Sequence, residues 1–429
     1  MSSAATTHDV YVMKRLTVRT WCFSVLPRLM WRRFGRSPVT SCYAVETTRL
    51  GWALASAWRG LMGMRLERFG SRLWEARDEQ GASLMARVGS EDALLVQAEI
   101  LREPTFRAWL TEPSMSERQE RLPAYLTKAL SPCDLSDGAA LWCTLLLIRV
   151  CAREVEHEAH PSGSRAVLFL DRRPWMRAII RYASAHGVTV IPVPPPLNLR
   201  GGMQRCLPIP VRLWRREMRW LFRTRRWNVP ATAAQRSGPA RPRIAVESGG
   251  HFNLHQPEQY SNLFFWQQSS LSGQDLLLCF TSPTDPLDEE KLAQLAAEGI
   301  EAAVLRPHGA TTPETLALWH RPTLRRSPEA AWLRAESLGY QIRRHDWTQL
   351  LESHGIKIFV SWFKYDGTHC AVADALRQHG GIAALHQVAY ELQPAAHTMV
   401  ATDLVFGFSE MSAAIERRSG SRISYYVVT

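Results

Sequence analysis

An acidic side chain and an imidazole follow one short apolar run in the last quarter of the chain. The run Ile358–Trp362 leads into the tetrapeptide Asp366-Gly-Thr-His369. A carboxylate and an imidazole held together can take a proton from a sugar hydroxyl or fix its orientation. The same residues are also typical of the start of a helix, where Asp366 or Thr368 would cap free backbone N–H groups. Asp366 and His369 are therefore candidate catalytic residues, with helix capping as the alternative.

A second group of hydrogen-bonding side chains follows the next apolar run. His386 and Gln387 close that run, and Tyr390 and Glu391 come shortly after. Polar groups beside an aromatic plate are typical of sites that bind sugars. A core histidine and a surface tyrosine would explain the same residues. We list all four as candidate substrate-binding residues.

A glycine pair stands directly after the predicted strand Arg243–Ser248. Gly249 and Gly250 have no Cβ atom, so backbone N–H groups there could approach a phosphate or a sugar closely. His251 follows at once and titrates near neutral pH, which makes it a third candidate for proton transfer. The pair lacks the spacing of dinucleotide-binding and P-loop motifs, and a plain turn explains it equally well.

The sequence predicts neither a metal site nor a cofactor. The eight cysteines are scattered without Cys-x-x-Cys spacing, and no Asp-x-Asp pattern is present for a metal–nucleotide bridge. Free thiols inside apolar runs behave as small hydrophobic groups. A reducing compartment fits this cysteine usage best.

Alternating strand and helix patterns must position these side chains. A strand–helix–strand unit spans 166–193, and further short apolar runs occur at 243–248, 275–280, 302–305, 358–362 and 424–428. This alternation predicts an α/β fold with a Rossmann-like parallel sheet. Ligands bind such sheets at the carboxyl ends of the strands, where the polar residues above would lie.

Composition divides the chain into three parts. Residues 1–40 are basic and aromatic and are predicted to form a solvated arm, with a membrane or nucleic-acid contact as the alternative. Residues 41–160 have helical periodicity and form a predicted accessory region. Residues 161–429 form the predicted Rossmann-like domain, which a basic helix and a linker interrupt at 200–242.

The basic helix is predicted over 211–227. Its arginine and tryptophan pattern is typical of helices that lie in a membrane interface. The candidate membrane-contact residues are Arg212, Trp214, Arg215, Arg216, Arg219 and Trp220. Alternatively, the apolar face packs on a neighbouring domain while the arginines are solvated.

The net charge of +12 at pH 7 favours a phosphate-rich partner or an anionic membrane surface. Nucleic acid is the weaker choice, because no aromatic RNA-binding motif or helix-turn-helix pattern accompanies the charge. The longest apolar run, Leu141–Val150, is about half a membrane span. With no convincing secretory signal, the sequence predicts a cytoplasmic protein, either free or peripheral at the inner membrane.

Two segments resemble a known group of proteins. Residues 244–270 and 381–429 are similar to bacterial surface-polysaccharide biosynthesis proteins of GT-B glycosyltransferase architecture, in particular the group named for a PFTS motif. Here Phe280-Thr281-Ser282 is preceded by Cys279 instead of proline. The resemblance covers roughly 160–429.

The resemblance implies two Rossmann-like domains and sugar transfer from a nucleotide donor to a glycan or lipid-linked acceptor. It places 161–429 as the N-terminal, acceptor-side domain, so that the chain would end where a donor-binding domain begins. Asp366, His369, His386 and Gln387 would then line the acceptor side, with Gly249, Gly250 and His251 across the cleft. A non-catalytic Rossmann-like binding or scaffold protein is the alternative.

Overall fold

The structure is a computed structural model. It describes residues 9–34, 39–70, 72–111, 120–131, 137–157, 164–193, 243–248, 269–281, 289–305 and 327–429. The chain divides into two compact units. The first consists of Met1–Glu103 and Asp137–Gly202, and the second consists of Pro104–Ser136 and Met203–Thr429.

Twelve strands are present among the described residues. They are β1 (Asp9–Leu16), β2 (Val39–Thr47), β3 (Arg65–Arg68), β4 (Arg165–Asp171), β5 (Val188–Val193), β6 (Arg243–Ser248), β7 (Leu276–Phe280), β8 (Glu301–Val304), β9 (Ile356–Ser361), β10 (Ile382–His386), β11 (Ala401–Gly407) and β12 (Arg422–Val428).

Helices occupy most of the intervening described chain. They are α1 (Val18–Thr20), α2 (Leu26–Phe34), α3 (Arg49–Met62), α4 (Arg72–Glu75), α5 (Leu84–Arg87), α6 (Ala93–Arg102), α7 (Pro104–Leu110), α8 (Leu122–Lys128), α9 (Asp137–His157), α10 (Met176–Ala185), α11 (Glu289–Ala297), α12 (Pro328–His354), α13 (Thr368–Gln378) and α14 (Glu410–Arg418). The π-helical turn Trp21–Val25 joins α1 to α2.

The first unit contains a five-stranded sheet in the order β3-β2-β1-β4-β5. Every pair of neighbours is parallel. The chain begins at the central strand, builds outward through β2 and β3, and then returns to the other side of β1. This is the doubly wound order of a Rossmann-like sheet, and its direction reverses between β1 and β4.

The second unit contains a seven-stranded sheet in the order β12-β11-β10-β9-β6-β7-β8. Its neighbours are also all parallel. The chain starts at β6, builds through β7 and β8, and continues on the other side of β6 from β9 to β12. The strand order therefore reverses between β6 and β9, which is where doubly wound proteins bind ligands.

The central strands of both sheets are buried on two faces, as parallel sheets require, whereas the edge strand β12 is largely exposed. In the second unit, one apolar cluster joins α12 and α13 to the sheet through residues such as Trp347, Phe359 and Val372. A cluster on other residues of the same sheet includes Leu278, Phe280 and Leu295. These layers confirm the predicted α/β fold class and hold the strand ends at fixed positions.

The division of the chain differs from the one predicted from composition. A solvated arm was predicted for residues 1–40, but residues 9–16 form the central strand of the first sheet, and Val10, Val12 and Met13 are fully buried. Strands β4 and β5, which were predicted to begin the Rossmann-like domain 161–429, join this N-terminal sheet and not the sheet that follows residue 243. The chain thus holds two Rossmann-like sheets where one was expected. Arginines at the strand and helix ends gave 1–40 its basic composition and obscured the short apolar strand.

Among the described residues, the strand and helix predictions after residue 160 agree closely with the structure. The predicted strands near 166–170, 188–193, 243–248 and 358–362 correspond to β4, β5, β6 and β9. Within the described part of the chain, no helix combines the length and apolar composition needed to cross a bilayer.

Candidate functional site

Two side chains meet where the strand order of the second sheet reverses. Ser361, the last residue of β9, donates a hydrogen bond from Oγ to Oε2 of Glu247, near the end of β6. Thr281, directly after β7, donates to the other carboxylate oxygen over 3.1 Å. Three adjacent strands thus deliver one carboxylate and two hydroxyl groups to a single point.

The sheet register places these groups together. Glu247 pairs with Cys279 of β7, two residues before Thr281. On the other side of β6, Val246 pairs with Val360, the residue before Ser361. Because the strands are parallel, their carboxyl ends lie at one edge, and side chains at these positions converge there.

A cavity of about 450 Å³ opens at this edge. Its size is that of sites that hold small organic ligands. It is lined by Glu247, Thr281, Leu305, Arg343, Asp346, Trp347, Phe359, Ser361, Trp362, Phe363, Asp366, Thr368, His369 and Val372. Acidic, hydroxyl and aromatic groups therefore line one cavity that is open to solvent.

Glu247 has an unusual pKa for a carboxyl group. Burial disfavours its charged form and raises the pKa from 4.5 to about 7. The hydrogen bonds from Ser361 and Thr281 oppose this shift, and the nearby charge of Asp366 adds to it. At neutral pH the group is present in both protonation states, which suits either the donation or the acceptance of a proton.

Asp366 lies just before the N-cap residue Gly367 of α13 and also lines the cavity. Its Oδ1 accepts a hydrogen bond from the Thr368 amide over 2.8 Å, and its Oδ2 accepts from the Thr368 hydroxyl over 3.0 Å. Asp366 thus bonds one free N–H of the first helical turn, as the capping alternative expects, although Gly367 occupies the N-cap position itself. The carboxylate is half-buried and remains at the cavity wall.

His369 lies in the first turn of α13 and is buried. Burial, together with the positive charge of Lys128, lowers its pKa to about 3, so the ring is neutral at physiological pH. Its Nε2 accepts a hydrogen bond from the Ala401 amide over 3.2 Å. That nitrogen is therefore occupied by the protein backbone. The geometry favours a role in positioning α13 over direct proton transfer.

Arg343 is the basic side chain among the described residues that line the cavity. Its Nη1 donates a hydrogen bond to the Tyr125 hydroxyl over 2.6 Å, and its guanidinium lies 5.5 Å from the centre of the Tyr125 ring. Tyr125 belongs to α8, so this helix orients the cation. A fixed guanidinium in such a cavity is well suited to bind phosphate or carboxylate groups.

His386 and Gln387 occupy the end of β10 but do not line this cavity. Gln387 is buried, and its side-chain oxygen accepts from the Tyr426 hydroxyl over 3.2 Å and from the Phe408 amide over 3.3 Å. Its Nε2 donates to the Ala389 carbonyl over 2.9 Å. These contacts fasten the loop after β10. Burial lowers the pKa of His386.

Tyr390 and Glu391 lie in the same loop, also outside the cavity lining. Tyr390 is largely exposed, and its ring lies 4.5 Å from that of Phe408. Glu391 forms an ion pair with the buried Lys364 over 3.0 Å. Lys364 also contacts Glu416 at 2.5 Å. The exposed ring of Tyr390 can still stack on a sugar, whereas the Glu391 carboxylate is already paired with Lys364.

No family model, curated protein or solved structure matches the chain.

The remaining predicted site residues lie outside the described part of the chain. Gly249, Gly250 and His251 directly follow Ser248, the last residue of β6. The predicted membrane-contact residues also lie outside the described part of the chain. They are Arg212, Trp214, Arg215, Arg216, Arg219 and Trp220.

The residues at the centre of the cavity were not predicted from the sequence. The sequence assigns Glu247 and Ser361 only to the predicted strands 243–248 and 358–362, and it singles out Thr281 only within the string Phe280-Thr281-Ser282. The sequence does contain one signal. Glu247 is an acidic residue that directly follows the apolar run Ile244–Val246 within a predicted strand. A carboxylate in a strand buried on both faces needs polar partners, and its neighbours must supply them.

Proposed function

We propose that this chain is a glycosyltransferase-like enzyme of bacterial surface-polysaccharide biosynthesis. It would transfer a sugar from a nucleotide donor to a glycan or lipid-linked acceptor. The observation that carries the proposal is Glu247, a carboxyl group with a pKa of about 7 at the β6–β9 junction, facing a ligand-sized cavity. The presence of two doubly wound sheets and the sequence resemblance to GT-B proteins support it.

Glu247 would act as the general base. Its carboxylate takes the proton of an acceptor hydroxyl, and the hydroxyl oxygen forms a bond to C1 of the donor sugar. The bond between C1 and the phosphate oxygen breaks, and the nucleotide leaves with the bonding electrons. A base whose pKa lies near the working pH combines a large deprotonated fraction with useful basicity.

The other cavity residues have roles that fit this reaction. Arg343, oriented by Tyr125, supplies positive charge for a phosphate or sugar carboxylate. Trp362 and Phe363 line the cavity and offer apolar ring surface to a sugar. Asp366 provides acceptor oxygens at the wall, beyond the bonds it makes to Thr368.

The test separates binding from turnover. The full chain is incubated with individual nucleotide sugars, and binding is followed by thermal shift. Nucleotide release is then measured with glycan and polyprenyl-phosphate acceptors. We expect at least one nucleotide sugar to raise the melting temperature, and we expect turnover with a matching acceptor. Glu247→Gln should retain binding and lose about 10²–10⁴-fold in kcat.

Glu290→Gln is the matched control, because Glu290 is exposed on α11 and does not line the cavity. It should keep both binding and turnover. If no nucleotide sugar stabilises the chain, the proposal fails. Binding without turnover in the unmodified chain would favour the alternative of a non-catalytic sugar-nucleotide-binding protein.

A further inference from the structure

Two neighbouring helical segments of the first unit carry apolar residues on their solvent side. One is the continuous segment 18–34, formed by α1, the π-helical turn and α2, and the other is α3. We call their exposed side the outer apolar face. It comprises Val18, Phe23, Pro27, Met30, Trp31, Leu50, Ala53, Ala57 and Leu61.

The core of the unit does not need these residues. The opposite sides of the same helices are already buried against the sheet through Trp21, Val25 and Ala55, in one cluster with Tyr11 and Phe169. By contrast, 77 % of Phe23, 82 % of Trp31 and 75 % of Leu50 is exposed. Solvent-facing helix surfaces are ordinarily polar. An apolar layer on both sides of these helices therefore points to an external partner.

The charged residues within these two helical segments have one sign. Neither helical segment contains an aspartate or a glutamate. Every charged residue in them is an arginine: Arg19, Arg28, Arg32, Arg33, Arg49 and Arg59. Arg28, Arg49 and Arg59 are exposed. A partner for this face must therefore accept apolar side chains and supply negative charge.

We propose that the outer apolar face binds the surface of a membrane that contains anionic lipids. Tryptophan and phenylalanine insert favourably at the boundary between headgroups and acyl chains, and arginines pair with lipid phosphates. The two helices would lie in the plane of the interface, without crossing it. The inference does not rest on the proposed glycosyl transfer.

Charge decides between this partner and a second copy of the chain. A symmetric dimer through this face would bring the same patch against itself, so that arginines would face arginines without intervening carboxylates. Such like-charge juxtaposition opposes association. Anionic headgroups remove the repulsion and attract the same arginines.

The experiment is vesicle flotation with the full chain. Vesicles of phosphatidylcholine alone are compared with vesicles that contain about 30 % phosphatidylglycerol. We expect binding to the anionic vesicles, weaker by about tenfold or more on neutral vesicles and in high salt. Trp31→Glu combined with Leu50→Glu should reduce binding to anionic vesicles by at least about tenfold.

The matched control combines Leu95→Glu with Leu392→Glu. It adds the same charge at two leucines that are 68 % and 93 % exposed and lie outside the face. Its binding should stay within about twofold of the unmodified chain. A second variant, Arg28→Gln with Arg49→Gln and Arg59→Gln, should distinguish anionic from neutral vesicles less strongly than the unmodified chain, because it loses three of the six arginines that attract anionic headgroups.

Three results would overturn the proposal. The unmodified chain could fail to bind either vesicle, or the Trp31→Glu/Leu50→Glu variant could bind as well as the unmodified chain. Light scattering could also reveal a dimer in vesicle-free solution that the same two substitutions dissociate. The last result would assign the face to a second copy. Circular dichroism melting of each variant confirms that a loss of binding is not a loss of folding.

Discussion

Ser361 at the end of β9 donates its hydroxyl hydrogen to the Glu247 carboxylate on β6, although the two residues are 114 positions apart in the chain. This bond crosses the point at which the strand order reverses. It favours the charged form of Glu247, while burial favours the neutral form, and burial is the larger effect. The pKa of about 7 reflects this balance.

The balance predicts the effect of Ser361→Ala on the pH dependence of activity. Removing the donor withdraws stabilisation from the carboxylate, so the pKa of Glu247 should rise further, by about one unit. A base must be deprotonated to act, so the acidic limb of the kcat/KM profile should move to higher pH. Ser353→Ala, which removes a hydroxyl bonded only to a carbonyl at the end of α12, serves as the control. An unchanged limb, or one moved to lower pH, would contradict the assignment of Glu247 as the base.

The same pKa predicts how Glu247→Gln changes stability. The folded-state pKa of about 7 lies above the reference value of 4.5, so the folded protein binds this proton more tightly than the unfolded chain does. Stability from this group is therefore lost as pH rises from about 4.5 to 7. Glutamine has no charge to bury. The variant should be more stable than the unmodified chain by on the order of 3 kcal/mol at pH 8, and nearly equal to it at pH 4.5.

Urea unfolding at pH 4.5 and pH 8 measures this difference. Amide and carboxyl groups are nearly isosteric, so the glutamine oxygen can accept from one of the hydroxyl groups of Ser361 and Thr281 while its NH2 donates to the other. Equal effects at the two pH values would show that the carboxylate is not held at a raised pKa. A gain in stability that accompanies a loss of turnover is expected for a site built around a poorly solvated charge.

The fold was largely predictable from the sequence where apolar runs are short and clearly bounded. The pattern from Ile356 to Gly407 alternates strands and helices, and β9, α13, β10 and β11 lie where that pattern places them. Strand β1 was missed, because Lys14 and Arg15 at its end and the arginines of α2 dominate the composition of residues 1–40. Tertiary burial overrides composition there, since β1 is the central strand of its sheet.

The site was predictable only in part. Asp366 and His369 were found because they follow a strand directly, and both line the cavity. Glu247 could not be recognised in the same way, because its partners come from β7 and β9. Which strands become neighbours depends on the winding order of the sheet, and local spacing contains no information about that order. The buried state of His369 likewise depends on long-range contacts, such as the one with Ala401.

A cluster of charges at the opposite edge of the second sheet predicts a stabilising role for Arg243. Its guanidinium contacts Glu301 at 2.6 Å and donates to the Leu276 carbonyl over 2.8 Å. His354 also contacts Glu301, at 3.1 Å. Burial alone would raise the pKa of Glu301, but His354 and Arg243 outweigh burial and lower it to about 2. This group therefore stabilises the fold above the ordinary carboxyl pKa and loses that contribution as pH falls towards 2.

We expect Arg243→Met to lower the free energy of unfolding by on the order of 3 kcal/mol at pH 7, because it leaves a partly buried carboxylate without its main partner. The difference from the unmodified chain should shrink as pH falls from 5 towards 2. Arg377→Met is the control, because Arg377 and Glu120 form an exposed ion pair. Its effect should stay below about 1 kcal/mol. A constant difference across this pH range would remove Glu301 from the explanation.

Gly367 provides a steric test of the cavity wall. A Cβ atom at this position would lie 2.7 Å from Cδ2 of Tyr125, although the backbone φ of −81° is accessible to any residue. Gly367→Ala must therefore displace the Tyr125 ring, and with it the hydroxyl that orients Arg343. We expect a loss of about 1–3 kcal/mol in the free energy of unfolding, together with weaker nucleotide-sugar binding.

A second substitution distinguishes this clash from a general effect of adding a methyl group. Tyr125→Leu in the Gly367→Ala background removes the ring atoms that the new Cβ meets, so the double variant should be more stable than the sum of the single effects by about 1 kcal/mol or more. Binding should not recover, because Arg343 still lacks the hydroxyl that orients it. Gly60→Ala, in the last turn of α3 with open space where the new Cβ would lie, should instead stabilise the chain by up to about 0.5–1 kcal/mol. If the effects of the Gly367 and Tyr125 substitutions on stability are additive, the two residues do not contact each other. If nucleotide-sugar binding recovers in the double variant, the Tyr125 hydroxyl does not orient Arg343.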